Sequence, residues 1–384
     1  SIMSTIVKYM PIFRLRTQEK QVLLSRHFGD NVFPLLEIIK RFEIKPREPK
    51  QDKKKKSKGK KKEEKTFEQV YLPILKNIKA KKVFVDLPVH MKQPPNMKPE
   101  VVEFLRKVVD DRNERTAHIL KFAEYSDRVI PVVSTYMQKR NNEPNSIKLQ
   151  EKDLRPTFSA IAFRTFPATF SQDIKQIEAI VKKGDYIIYD LENTLIDKED
   201  PDVIKSELES LRNDKGCEII IVRNVVSSDV KNSEIPHGKK IDKIVSDLIG
   251  NYTELHGSGF GDYVGIKKDG VTKGAGISPG FLLFDPVENA YYGFRGDVYK
   301  EDGKIVRKVS DFEKIIVPDV LKSAAISRMK KSGLPYLNDI NIGWKKINGI
   351  KAGSESGQSQ AKFKRISMEH YLHCIMTQID AGMI

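Results

Sequence analysis

Short runs dense in Val, Ile, Phe and Tyr recur along the chain, and segments with helical spacing separate most of them. The runs are Ile6 to Phe13, Val32 to Ile39, Lys82 to Leu87, Arg128 to Ser134, Ser159 to Thr165, Asp185 to Leu191, Cys217 to Asn224 and Phe260 to Ile266. They are near-continuous rather than alternating. Strands of a parallel sheet buried on both faces read this way.

The intervening segments carry apolar residues at helical spacing. Helices are expected over Glu19 to Phe28, Phe67 to Ile78, Gln172 to Lys182 and Lys239 to Tyr252. Glu100 to Tyr125 has room for two, and Pro201 opens another that runs to Leu211. The pattern is weakest over 146–156. Eight runs with helical crossovers predict an α/β chain whose residues 3–270 form a (β/α)8, TIM-barrel-like fold. The competing doubly wound sheet usually shows a glycine-rich turn after its first strand, and none follows Phe13 here.

Residues 271–384 form a C-terminal extension in this reading. Phe281 to Phe284 and Ala290 to Phe294 predict a β-hairpin, Val320 to Lys331 a helix, 351–361 a linker, and Arg365 to Ile379 a final amphipathic helix.

Charge changes the picture in one place. The net charge is +16, which by itself suggests a polyanion partner. Residues 45–65, however, hold eleven Lys and one Arg against three Glu and one Asp, which is half of that excess. The charge is therefore a local insertion, expected to be disordered over 45–66, rather than a basic fold. It has no aromatic residue, so it would meet nucleic acid through counterion release and not base stacking. A solubilising tether is the alternative.

Cys217 and Cys374 sit alone in apolar runs, which suits a reducing compartment. No apolar run reaches the length of a membrane span, and no signal-peptide pattern opens the chain, so a cytoplasmic location is expected. Ser1-Ile2 ahead of Met3 is set aside as an expression scar.

In a strand–helix barrel the ligand face lies at the C-terminal strand ends. The residues there include Glu37, Asp86, Asp190, Glu192 and Asp262 as catalytic candidates. Arg164, Arg223 and Tyr263 are the substrate-binding candidates. Residues two apart on a strand share a face, which places Asp190 and Glu192 together. Arginines bind phosphate bidentately, and clustered acids hold a divalent cation such as magnesium or act as acid and base. Plain ion pairing among these groups is the competing account.

The histidines show no metal-ligand spacing. His90 reads as a solvated loop residue, and His370 and His373 as packing or surface positions. The glycines at 257, 259 and 261, and at 270, 274, 276 and 280, read as tight turns around the last strand, since no GK[ST] follows.

The opening YMPIFRLRTQEKQVLL and VFPLLEI resemble the phage-T4-type beta protein family, as do VFVDL, AFRTF, YIIYDL, FGDY, FRGDVY and ISMEHYLHCI. The resemblance spans most of the chain. It marks Glu37, Asp86, Arg164, Asp190, Asp262 and Arg295 as landmarks, and adds Arg295 to the substrate-binding candidates. Of the family's closing histidines only His370 matches well, and the Lys-rich insertion departs from the pattern. The resemblance implies a phage or bacterial defence context and no specific activity.

Two readings follow. One is a hydrolase acting at the barrel rim on a phosphate-containing substrate, a nucleotide or nucleic acid. The other is a non-catalytic module that recognises a phage or host macromolecule, with a protein partner in a defence or counter-defence complex.

Overall fold

The computed structural model describes residues 6–40, 65–88, 90–91, 96–135, 143–196, 201–268 and 278–384. Eight of its strands are parallel and close on themselves: β1 (Tyr9–Arg14), β2 (Leu35–Glu37), β3 (Val83–Asp86), β4 (Val129–Val133), β5 (Ala162–Thr165), β6 (Tyr186–Asp190), β7 (Glu218–Val222) and, after a two-residue β8 (Lys239–Lys240) outside the barrel, β9 (Gly259–Asp262). The ring shuts where β9 pairs with β1, Tyr9 opposite Phe260 and Pro11 opposite Asp262. Glycine makes that closure fit. A Cβ on Gly259 would lie 2.1 Å from the Val7 carbonyl oxygen.

Two apolar cores result. Ile12, Leu35, Phe84, Val132, Ala162, Ile188 and Val222 belong to the one that fills the barrel. The other joins the outward strand faces to the surrounding helices and the C-terminal extension. The helices follow their local signals. Thr66 caps Phe67–Asn77 with a capping box, its side chain accepting from Gln69 N while Gln69 returns a bond to Thr66 N. The weakly patterned 146–156 does hold a helix, Ser146–Leu154. Its pattern is weak because buried Gln150 occupies a core position and spends its amide on Arg115 and the Ser134 carbonyl.

The extension begins with β10 (Gly280–Asp285) and β11 (Ala290–Arg295), the expected hairpin, to which β8 adds a third antiparallel strand. This corrects the helix expected over Lys239 to Tyr252. Lys239 and Lys240 pair with Gly293 and Tyr292 instead, and only Leu248–Asn251 is α-helical. A second hairpin follows, β12 (Tyr299–Glu301) and β13 (Lys304–Val306).

The helix expected over Val320 to Lys331 is two, Val317–Leu321 and Ala324–Lys331, because Ser323 caps a new start by accepting from Ile326 N. Helix Ile342–Ala352, absent from the sequence reading, ends at Gly353, whose φ of +78° stops it within the expected linker. The last helix, Gln360–Asp380, is not amphipathic. Nearly every residue from Phe363 to Gln378 is buried, because the helix lies among helix Thr17–Ser25, β10 and helix Ile342–Ala352.

No helix among the described residues is long and apolar enough to cross a membrane. The Lys-rich stretch up to Glu64, and Gly270, Gly274 and Gly276, lie outside the described residues.

Candidate functional site

Strand parity builds the site. Residues two apart share a face, so each apolar residue at the top of the barrel core is followed by an inward position at the mouth. Ile12 leads to Arg14, Leu35 to Glu37, Phe84 to Asp86, Val132 to Ser134, Ala162 to Arg164, Ile188 to Asp190, Val222 to Asn224 and Gly261 to Tyr263. All eight of these mouth residues are buried. A polar layer therefore caps the apolar core.

Arg164 is its hub. Its Nε donates to Asp190 Oδ2 at 3.0 Å. Nη1 donates to Glu37 Oε2 at 2.9 Å and Asp86 Oδ2 at 3.0 Å. Nη2 donates to Asp190 Oδ2 at 2.7 Å and Tyr263 OH at 3.3 Å. A guanidinium has five N–H donors, and these five bonds use them all. Arg164 thus spends its whole guanidinium inside the layer.

Arg14 adds Nε and Nη2 contacts to Glu37 Oε1 at 3.1 and 3.0 Å. Arg115, from helix Arg112–Leu120, reaches Asp86 Oδ1 at 3.2 Å and also donates to the Leu87 and Val132 carbonyls. Three buried guanidiniums thus face three buried carboxylates, Glu37, Asp86 and Asp190. Burial alone would push the Glu37 carboxyl up. Arg14 and Arg164, with His90, outweigh it and hold Glu37 well below the usual carboxylate range.

His90 is buried, not solvated as expected. Its Nε2 lies 3.3 Å from Glu37 Oε2. Burial, then the Arg164 charge, push its pKa down to about 4, so it is neutral at pH 7. Glu37, Asp86 and His90 offer donor atoms within 4.8 Å of one another, the spacing of a metal site. Arg164 Nη1 already bridges the two carboxylates. A divalent cation there would have to displace a guanidinium, so the set fits its arginine better than a metal.

Parity also explains which expected residues lie elsewhere. Asp262 shares its face with Phe260, which points into the outer core. It accepts from Tyr9 OH at 2.6 Å, from Tyr371 OH and from Val264 N, and burial pushes its pKa up against those bonds. Arg223 shares its face with Ile221 and pairs with Asp247 at 3.1 Å. Arg295 lies on β11, where its backbone N–H donates to His237 Nδ1 at 3.0 Å, and it does not line the mouth cavity. The expected rim set is therefore split. Glu37, Asp86, Arg164, Asp190 and Tyr263 meet in one network, whereas Asp262, Arg223 and Arg295 are outside it.

Above the layer is a cavity of about 740 Å³ between the barrel mouth and the start of helix Gln360–Asp380. Among the described residues four cations line it, Arg14, Lys267, Lys268 and Lys364, against one carboxylate, Glu192. Lys364 is paired with buried Glu19. Lys268 forms no ion pair with a described residue. Its Nζ sits 5.3 Å from the Tyr263 ring centroid, and the Arg14 guanidinium lies 5.7 Å from the same centroid. Burial, then Arg14, push the Lys268 pKa down to about 8.

Glu192 holds a left-handed backbone, φ +52°, that non-glycine residues seldom adopt. Asp190 Oδ1 accepts from Glu192 N at 2.9 Å, and Glu192 O accepts from Asn224 N at 2.6 Å. Those two bonds fix the strained turn at the cavity edge.

Sequence reasoning missed Arg14, Arg115, Asn224 and Lys268. Arg14 stands one residue beyond the first expected run, and Asn224 ends the seventh. Extending the parity of Ile12 and Val222 would have found both. Arg115, inside a helix, and Lys268, in a loop, give no such signal.

The fold and its mouth define a (β/α)8-barrel protein with a buried ionic layer beneath a cationic cavity. The chain belongs to the Beta protein family, whose model matches residues 9–377. No curated protein and no solved structure matches it.

Proposed function

We propose that this chain binds a phosphate-containing substrate, a nucleotide or nucleic acid, in the mouth cavity and hydrolyses its ester. The observation that carries this reading is Lys268, an ammonium with no ion-pair partner among the described residues, held beside Arg14 on the cavity wall. Two neighbouring cations in a partly buried place are unfavourable alone and favourable around an anion. Lys268 and Arg14 receive the phosphoryl oxygens. Glu192, a carboxylate on the wall, takes a proton from water as the water oxygen attacks phosphorus. The P–O ester bond breaks, and the leaving oxygen is protonated from solvent or Lys268.

The test is phosphate release from nucleoside phosphates by the full chain. Glu192→Gln should cut turnover by about 10²-fold or more with binding retained. Undiminished turnover in Glu192→Gln would remove the carboxylate from the mechanism.

A second reading is a non-catalytic recognition module. It draws on the same layer: Glu37, Asp86 and Asp190 all accept from guanidiniums, so none is free to act as a base. Tight binding of a nucleotide with no phosphate release would favour it.

A further inference from the structure

A second pocket lies at the foot of the barrel, the end opposite the mouth cavity. It holds about 430 Å³ between the turn that leads from helix Thr17–Ser25 into β2, the start of helix Ile342–Ala352 and the end of helix Gln360–Asp380. Arg26, from that turn, is half-buried and lines it. A guanidinium has five N–H donors. Arg26 spends Nε on Met376 Sδ at 3.0 Å and Nη1 on His373 Nδ1 at 3.0 Å. His373 is neutral, since burial pushes its pKa down to about 4, and its Nε2 donates to the Pro335 carbonyl at 2.8 Å. Arg26 Nη2 makes no hydrogen bond to a described residue and is not sealed off from solvent.

Arg26 also forms no ion pair with a described residue. Burial pulls its pKa down against the attraction of Glu369 and Asp380, which are near enough to feel its charge but do not pair with it. Glu369 accepts from Ser25 Oγ at 2.8 Å and does not line the pocket. Asp30, an acid on the wall, pairs with Lys81 at 2.8 Å. Asp380 is on the wall too, is exposed, and forms no ion pair with a described residue. The pocket therefore presents one open guanidinium and one open carboxylate that attract each other without touching. Apolar surface is open beside them: Ile340 is 65% exposed, and Ile342 and Ile379 are partly exposed.

We infer that this foot pocket binds a free apolar α-amino acid, its carboxylate on Arg26, its ammonium on Asp380 and its side chain against Ile340, Ile342 and Ile379. Arginine takes a carboxylate through charge-assisted hydrogen bonds. The two charges of an α-amino acid are carried on either side of a single carbon, so one small molecule bridges a guanidinium and a carboxylate that are close but not in contact. A phosphate dianion exceeds the charge of one guanidinium and is repelled by Asp380. The volume of about 430 Å³ lies toward the lower end of the roughly 300–1,000 Å³ that encloses small ligands. The pocket is separate from the mouth cavity, and the inference does not depend on the phosphate reading.

The experiment is equilibrium binding of the full-length chain to leucine and to four analogues. 4-Methylpentanoate lacks the ammonium, 3-methylbutylamine lacks the carboxylate, glycine lacks the side chain, and N-acetylleucine mimics a peptide terminus. Leucine should bind, and each analogue should bind at least about tenfold more weakly, the value of one hydrogen-bonded charge or one buried apolar side chain. Asp380→Asn, at an exposed position, should weaken leucine about tenfold and leave 4-methylpentanoate unchanged. Arg26→Gln should weaken both, and Lys268→Ala neither. Failure of leucine to bind, or binding no tighter than that of 4-methylpentanoate, would overturn the inference. N-Acetylleucine binding as tightly as leucine would overturn it in favour of a peptide terminus. Leucine affinity unchanged in Asp380→Asn would overturn it by placing the ligand elsewhere, and a loss in Lys268→Ala would then put it in the mouth cavity.

Discussion

Two glutamates, one buried and one half-buried, occupy opposite ends of one barrel and behave in opposite ways. Glu37 ends β2 at the mouth, and Glu218 opens β7 at the foot. Glu218 accepts from Val7 N at 3.2 Å and forms no ion pair with a described residue. Burial therefore dominates there and pushes its pKa up to about 7. Glu37 is the more deeply buried of the two, yet Arg14 and Arg164 hold it ionised. The carboxyl group is the same in both places, and the guanidiniums decide. The mouth acids are thus partners in an ion-pair layer before they are anything else.

The largest effect should come from removing the hub. Arg164→Ala leaves Glu37, Asp86 and Asp190 buried with part of their compensation gone. Loss of one partner of a buried pair costs about 3–5 kcal/mol. Urea unfolding should show that loss, and a stability unchanged by the substitution would mean the layer is not a scaffold.

The foot gives the next effect. Glu218 titrates near 4.5 when unfolded and about 7 when folded. The folded state holds the proton more tightly, so this group's contribution is fullest below about 4.5 and is lost as pH rises to about 7. Glu218→Gln should remove that slope and stabilise the alkaline protein by about 1–3 kcal/mol. Melting curves across that pH range check it. A parallel pH profile in wild type and variant would show that the foot glutamate is not strained by burial.

Lys268→Ala should weaken phosphate-compound binding about tenfold or more and leave unfolding within about 0.5 kcal/mol of wild type. An equal loss in stability would place Lys268 in the scaffold with Arg164, and so erase the division between layer and cavity. The smallest effect concerns the Lys-rich stretch. Deleting residues 50–62 should reduce salt-sensitive retention on heparin without altering nucleotide affinity. Unchanged retention would take that stretch out of polyanion binding altogether.

The barrel was legible in the chain because each parallel strand is a continuous apolar run that needs no partner to be recognised. Glu37, Asp86, Arg164, Asp190 and Tyr263 were legible for the same reason, as polar residues closing apolar runs. Parity at the strand ends was harder to read. A run's last residue points inward or outward by a single step, and that step sends Asp262 and Arg223 to the outer face while Asn224 turns to the cavity. Lys239–Lys240 was misread because its pairing partners, Tyr292 and Gly293, lie about fifty residues further along the chain. The last helix looked amphipathic because its buried polar residues, among them Glu369, His370 and His373, bond to groups on other elements.

On the proposed reading, an anion completes the surroundings of Lys268. Its pKa of about 8 should rise when a tetrahedral dianion binds beside it, so binding should draw protons from solvent. Sulfate carries no titratable proton in this range, and calorimetric titration with it in buffers of different ionisation enthalpy counts the protons taken up. Net uptake is expected near pH 8, fading well below it and absent in Lys268→Ala. Sulfate binding with no proton uptake near pH 8, or with the same uptake in Lys268→Ala, would contradict it.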